Sequence, residues 1–170
     1  MKIKSVGIVA LFTAIAAIAL TGCLLAPPDQ LVVNTTDGKV HGKLINDGKI
    51  LAFQGIPYAA PPVGNLRWQA PQPVAGWNSE LDATKFGRHC PQNHVFTDMV
   101  YQDSSTPDDS GSEDCLTVNV YSPVRKHNNA RLPVMFWIHG GGYTEGASSE
   151  PRHNGDFLPL KGVVLVTINY

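Results

Sequence analysis

The run Leu132-Pro133-Val134-Met135-Phe136-Trp137-Ile138 leads through His139 into three consecutive glycines, Gly140, Gly141 and Gly142, and this junction constrains the fold more than any other feature of the chain. A short, almost continuous apolar run with Pro near its start and Gly beyond its end reads as a strand buried on both faces. A glycine loop at the end of such a strand is where α/β sheets hold ligands. Glycines also let backbone N–H groups approach a developing oxyanion closely, as acyl transfer requires. The plainer alternative is a flexible turn, with His139 an ordinary strand-end residue whose ring is satisfied.

Chemistry that needs an oxyanion hole also needs a nucleophile, and no Gly-x-Ser-x-Gly occurs in the 170 residues. The nearest imitation, Gly146-Ala147-Ser148-Ser149-Glu150, has Glu at the last glycine position and follows a loop instead of a strand, so it does not read as a nucleophile elbow. Chain order excludes other candidates. Where a Ser sits on such an elbow the acid and the His follow it in chain order, so Glu145 reads as solvated or as a loop acceptor, and neither His139 nor His153 reads as the general base.

The N-terminus carries a separate signal. Lys2 and Lys4 precede an uncharged stretch, Val6 to Leu20, that is short for a bilayer span and has the form of a secretory signal. Leu20-Thr21-Gly22-Cys23 closes it and is similar to a bacterial lipobox, in which the Cys thiol is lipidated and becomes the first residue of the mature chain. An ordinary signal peptide with a chance Cys and an uncleaved anchor are the alternatives. The expected organisation is a signal peptide at 1–22, a tether at 23–30 and one incomplete domain at 31–170. With Lys2 and Lys4 removed, 11 basic residues face 14 acidic ones, a formal charge of −3. That balance and the absence of any long basic stretch point away from nucleic acid, so membrane association would rest on lipid at Cys23.

If Cys23 carries lipid, Cys90 and Cys115 remain as an even pair in an oxidising compartment. The residues alone leave open a disulfide, two free thiols, or a metal site with His89 and His94. A structural metal site wants four ligands and this pair has no close-spaced partner pair, so no metal is expected.

Along the domain, Leu31–Val33, Lys39–Ile45 and Lys49–Phe53 read as short strands, the last two joined by a turn at Asn46-Asp47-Gly48. Residues 56–80 hold five of the 13 prolines and read as irregular surface chain. Leu116, Val118 and Val120 alternate with Thr117, Asn119 and Tyr121, the pattern of a half-buried strand. Phe157-Leu158-Pro159-Leu160 suits a brief helical turn, and Val163–Ile168 reads as a second buried strand. Two buried strands with a crossover between them suggest the start of a parallel sheet, preceded by an antiparallel edge.

Four stretches, in order, resemble the N-terminal part of the type B carboxylesterases, the group that includes the cholinesterases. They are Phe53-Gln54-Gly55-Ile56-Pro57-Tyr58-Ala59 continuing to Pro61-Pro62-Val63-Gly64 and Leu66-Arg67-Trp68; Asp82-Ala83-Thr84 with Phe86-Gly87 and Cys90; Glu113-Asp114-Cys115-Leu116 with Asn119-Val120; and the glycine loop with the strand Val163 to Tyr170. The resemblance implies an α/β-hydrolase fold, of which residues 31–170 would be the N-terminal portion, ending before the nucleophile elbow. It implies a Cys90–Cys115 disulfide that closes a loop holding the polar segment Asp103 to Ser112. It implies Gly141 and Gly142 as backbone oxyanion donors and an aromatic after the glycines, here Tyr143, lining the substrate pocket, with plain packing as the alternative for that ring. Arg67 and Glu113, both in matched segments, are expected to meet as a partly buried ion pair, with ordinary solvated charge as the alternative.

Together these readings describe the N-terminal portion of an exported, lipid-anchored serine carboxylesterase that acts on small-molecule carboxylic esters. No cofactor is needed for that chemistry. By itself the chain is expected to be inactive and poorly soluble, because strands apolar on both faces want neighbours and covering helices. A non-catalytic surface protein for adhesion or binding on the same fold, and a truncated product without a role, are the competing readings.

Overall fold

A computed structural model describes residues 30–92, 111–125 and 131–170 of the chain. The signal peptide, Cys23, the tether up to residue 29, His94 and Asp103 to Ser110 lie outside the described residues. The strands are β1 (Val32–Asn34), β2 (Lys39–His41), β3 (Lys43–Ile45), β4 (Ile50–Pro57), β5 (Leu81–Asp82), β6 (Thr117–Pro123), β7 (Val134–Ile138) and β8 (Val164–Ile168). Short 3-10 segments occur at Gly64–Leu66, Pro151–His153 and Leu158–Lys161, the last where the apolar Phe157–Leu160 stretch suggests a helical turn.

Two sheets result. The larger has the order β3-β4-β6-β8-β7, antiparallel from β3 to β8 and parallel between β8 and β7. The smaller has the order β1-β2-β5. The larger sheet is therefore an antiparallel edge together with one parallel pair, the mixed arrangement that the sequence implies, while β2 and β5 form a further parallel pair in the smaller sheet.

The turn between β3 and β4 takes left-handed backbone at Asn46 (φ 52°), Asp47 (φ 52°) and Gly48 (φ 76°). Asn and Asp tolerate that region better than other residues with a Cβ, which is why this tripeptide makes a tight reversal. The expected continuous strand from Lys39 to Ile45 is instead split at Gly42. A Cβ on Gly42 would lie 2.6 Å from both the Ala52 carbonyl and the Phe53 ring. This close backbone approach lets the chain cross from the small sheet to the large one.

The strand buried on both faces is β4, not β7. Leu51 and Phe53 pack with Val40 and Ala83 on one side, while Ile50 and Ala52 pack with Tyr121 and Leu165 on the other. By contrast β7 is exposed along its whole length, from Trp137 at 38% to Val134 at 64%. It is the sheet's edge, with β8 as its one strand neighbour among the described residues. Apolarity marks a strand's demand for cover, and among the described residues that cover is sparse: the ring of His153 stands 4.9 Å from that of Trp137. For β8, which the sequence also reads as buried, Leu165 and Thr167 are buried while Val164, Val166 and Ile168 are half-buried.

On β6 the alternation holds with an unexpected sign. Thr117, Asn119 and Tyr121 are buried, and Val118 and Val120 are only half-buried. The Tyr121 hydroxyl accepts a hydrogen bond from Gln54 Nε2 at 3.2 Å, and burial pushes its pKa up to about 12. Gly155 packs so tightly on this ring that a Cβ there would fall 2.0 Å from it.

The Cys90–Cys115 disulfide is formed, with Cα atoms 5.1 Å apart, so the thiol and metal alternatives do not apply to this pair. Arg67 and Glu113 also meet, Nη2 to Oε1 at 2.5 Å. The pair is more open than expected, with the two side chains 56% and 40% exposed, because both sit on irregular chain at the surface. The hydrogen bond from Arg67, and then its attraction to the carboxylate, raise the guanidinium pKa further.

Candidate active site

The loop after β7 begins at His139, which is buried. Its Nδ1 donates to the Gly140 carbonyl at 2.8 Å, so the ring is satisfied locally. The chain then takes left-handed backbone at Gly141 (φ 124°), Gly142 (φ 61°) and Tyr143 (φ 64°). Gly141 is the position where glycine is required: a Cβ would lie 1.8 Å from the Glu145 carbonyl oxygen. That closeness reflects a tight turn in which the N–H groups of Thr144 and Glu145 donate to the Gly141 carbonyl at 3.0 and 3.2 Å. Thr144 Oγ1 donates to the same oxygen at 3.0 Å.

The carbonyl of Gly141 is thus held from three donors while the N–H groups of Gly141 and Gly142 carry no hydrogen bond among the described residues. Successive unpaired N–H groups in a turn form a concavity that favours negative charge. Two backbone dipoles are thus offered to a negatively charged group at the open side of the turn.

Beneath the tip, the loop is fixed by buried polar contacts. Ser148 N donates to Asn169 Oδ1 at 2.8 Å, and Asn169 Nδ2 donates to the Arg88 carbonyl at 3.1 Å. Asn119 Nδ2 donates to Ser148 Oγ at 2.9 Å and to Thr167 Oγ1 at 3.0 Å, while its Oδ1 accepts from Gly55 N at 2.9 Å. Asn119 is fully buried and ties β6, β8, the Gly55 bulge and the glycine loop together. The sequence reading missed Asn119 and Asn169. For Asn119 the one legible signal was polar residues recurring on one face of β6; Asn169, just past β8, gave none.

Ser148 therefore serves as a structural hydroxyl, consistent with its poor match to a nucleophile elbow. Glu150, also buried, accepts from Ala147 N at 3.3 Å and has Oε2 3.3 Å from His153 Nδ1. His153 is thus engaged by Glu150 and Trp137. Tyr143 is 94% exposed and borders a hollow of about 70 Å³ together with His139, Glu145 and Gly146.

The larger cavity, about 500 Å³, lies elsewhere, against Leu51, Phe53 and Val120. Val120 points to the face opposite Asn119. The cavity's walls are mostly apolar, with Gln30, Thr35, Ser122 and Arg125 at the polar part of the lining.

The carboxylesterase family matches residues 29–170, so the chain belongs to that family. It is 44% identical over 140 residues to the para-nitrobenzyl esterase of Bacillus subtilis, covering 82% of this chain and 27% of that protein. It is 40% identical over 147 residues to the cholinesterase of Mus musculus, covering 84% of this chain and 24% of that protein. Among solved structures, a PNB esterase superposes with a TM-score of 0.73 at 44% identity, again over 82% of this chain and 27% of the other. The fold is accordingly the N-terminal portion of an α/β-hydrolase, and the chain spans about a quarter of the length of these relatives.

Proposed function

We propose that this chain supplies the oxyanion-hole section of a serine carboxylesterase, with the N–H groups of Gly141 and Gly142 as donors to the tetrahedral intermediate. The observation that carries this reading is the pairing state of the loop: the Gly141 carbonyl is held while the two N–H groups are free among the described residues. In α/β-hydrolases a further donor comes from the residue after the nucleophilic Ser. That Ser, the acid and the His would come from sequence other than these 170 residues, and the substrate would be a small-molecule carboxylic ester. Tyr143, at the loop tip, would border the acyl or alcohol group. Hydrolysis by this route uses protein groups and water and calls on no cofactor.

The reading extends to location. Lys2, Lys4, the apolar stretch to Leu20 and Leu20-Thr21-Gly22-Cys23 support export and lipid attachment at Cys23, which would hold the enzyme at a membrane of the cell envelope.

The test is the intact mass of the host's own product, recovered from the membrane fraction and treated with a serine-reactive fluorophosphonate. A labelled species heavier than 18.3 kDa that contains peptides of this chain is expected. An unlabelled species near that mass would overturn the enzymatic reading. Replacing Cys23 with Ala is expected to release the protein from the membrane, and unchanged fractionation would overturn the anchor.

A further inference from the structure

We propose that Gln92 is a positioning residue for the glycine loop, a carboxamide clip that sets where the Gly141 and Gly142 N–H groups point; its effect on turnover rests on the oxyanion reading above. Gln92 lies 54 residues before Gly146 and engages both polar groups of that one residue. Its Oε1 accepts from Gly146 N at 2.8 Å, and its Nε2 donates to the Gly146 carbonyl at 3.1 Å. A side chain that both accepts from and donates to one backbone residue imitates a strand partner, and it fixes orientation as well as distance.

What Gly146 does explains why this matters. It is buried, its φ is 117°, and a Cβ on it would fall 2.2 Å from His139 Nδ1 and 2.4 Å from the Gly140 carbonyl. Its backbone therefore presses directly on the two residues that open the loop. The preceding residue, Glu145, closes the turn by donating to the Gly141 carbonyl at 3.2 Å. Holding Gly146 thus holds both ends of the segment that carries the free N–H groups.

Gln92 is itself anchored. Its Nε2 donates to the Cys90 carbonyl at 3.0 Å, and Cys90 is bonded to Cys115 two residues before β6. The order of restraint runs from β6 through the disulfide to Gln92, then to Gly146 and the loop tip. Catalysis by preformed dipoles depends on this kind of fixed geometry, and a misplacement of about 1 Å costs on the order of 100-fold in rate.

The experiment compares wild type, Gln92→Ala and Gln92→Glu in the full gene product that carries this chain. Three quantities are read: deuterium uptake of residues 140–147 relative to β6, kcat and KM on a p-nitrophenyl ester, and the pH profile of each variant's rate divided by that of wild type. For Gln92→Ala, faster exchange confined to the loop is expected, with kcat lowered roughly 10- to 100-fold and KM changed little. Gln92→Glu keeps the acceptor and loses the donor when ionised. Its relative rate should recover as pH falls through the carboxyl range, since a protonated carboxyl both accepts and donates. His89, whose Nδ1 lies 3.4 Å from Gln92 Nε2, is the titratable group facing this position, so the profile is also read in Gln92→Glu combined with His89→Gln, where the recovery should persist and its loss would overturn the carboxyl explanation.

Unchanged loop exchange in both variants overturns the clip. Faster loop exchange with unchanged kcat also overturns the positioning role. If Gln92→Ala does not fold, the near-isosteric Gln92→Glu decides by the same readings. If wild type turns over no ester, the oxyanion reading fails by itself, and loop exchange alone decides whether Gln92 holds the loop.

Discussion

The ring of His139 stacks on that of Tyr170, with centroids 4.4 Å apart and planes 24° from parallel, and the Tyr170 hydroxyl donates to the His139 carbonyl at 2.9 Å. This contact joins the ends of the parallel pair β7 and β8 where the glycine loop departs. Stacking and a charge-neutral hydrogen bond on the same residue are each modest, but together they restrict how the loop leaves the sheet. The loop's first residue is pinned here, and its far end is pinned by Asn119, Asn169 and Gln92.

Asn119→Ala should be among the most damaging single changes outside the loop. It removes both donors to Ser148 and Thr167 and leaves the Gly55 N–H without its acceptor. Stranding buried groups of this kind costs roughly 2–4 kcal/mol. Urea denaturation of the full gene product checks this, and a midpoint equal to that of wild type would count against the network's importance.

Alkaline pH should destabilise the fold through Tyr121. Its pKa is raised from 10.0 to about 12 by burial, so between these values the unfolded chain loses the phenolic proton and the folded chain keeps it. The stabilisation is complete below pH 10 and is lost as pH rises toward 12. The two-unit difference corresponds to about 2–3 kcal/mol. Stability measured across this window should fall more steeply for wild type than for Tyr121→Phe, and parallel curves would contradict the burial argument.

Residues 31–170 expressed alone should associate. The edge strand β7 presents Val134, Met135, Phe136, Trp137 and Ile138, each at least 38% exposed, beside a row of backbone groups with no strand partner among the described residues. Such an edge recruits other strands. Light scattering checks this, and a monodisperse monomer with a cooperative melt would contradict it.

Separate Arg67→Ala and Glu113→Ala changes should leave thermal stability almost unchanged. The pair is formed but largely solvated, so neither partner is left in a dry environment when the other is removed. A large loss in a thermal melt of either variant would show that the partly buried pair expected from the sequence was the better description.

How far the sequence revealed this structure depended on what each pattern encodes. The strand-to-glycine junction at Ile138–Gly142 and the turn at Asn46-Asp47-Gly48 were legible because glycine, Asn and Asp carry local backbone preferences. The family resemblance placed Cys90 with Cys115 and Arg67 with Glu113. Burial was read less well. Apolarity alone could not distinguish β4, covered on both sides by Val40 and Tyr121, from β7, an edge strand of similar composition. Asn119, Asn169 and Gln92 were missed because their importance comes from partners dozens of residues away, such as Gly146 at a separation of 54, and no local pattern encodes those.

The most direct test of the central claim is the kcat of Gly141→Ala in the full gene product, measured on a p-nitrophenyl ester alongside its overall fold. The substitution places a Cβ 1.8 Å from the Glu145 carbonyl at a residue with φ 124°, so the donor geometry must change. A fall of roughly 100- to 1,000-fold in kcat with the circular dichroism spectrum retained is the predicted result. A folded variant with wild-type kcat would contradict the assignment of this loop as the oxyanion hole.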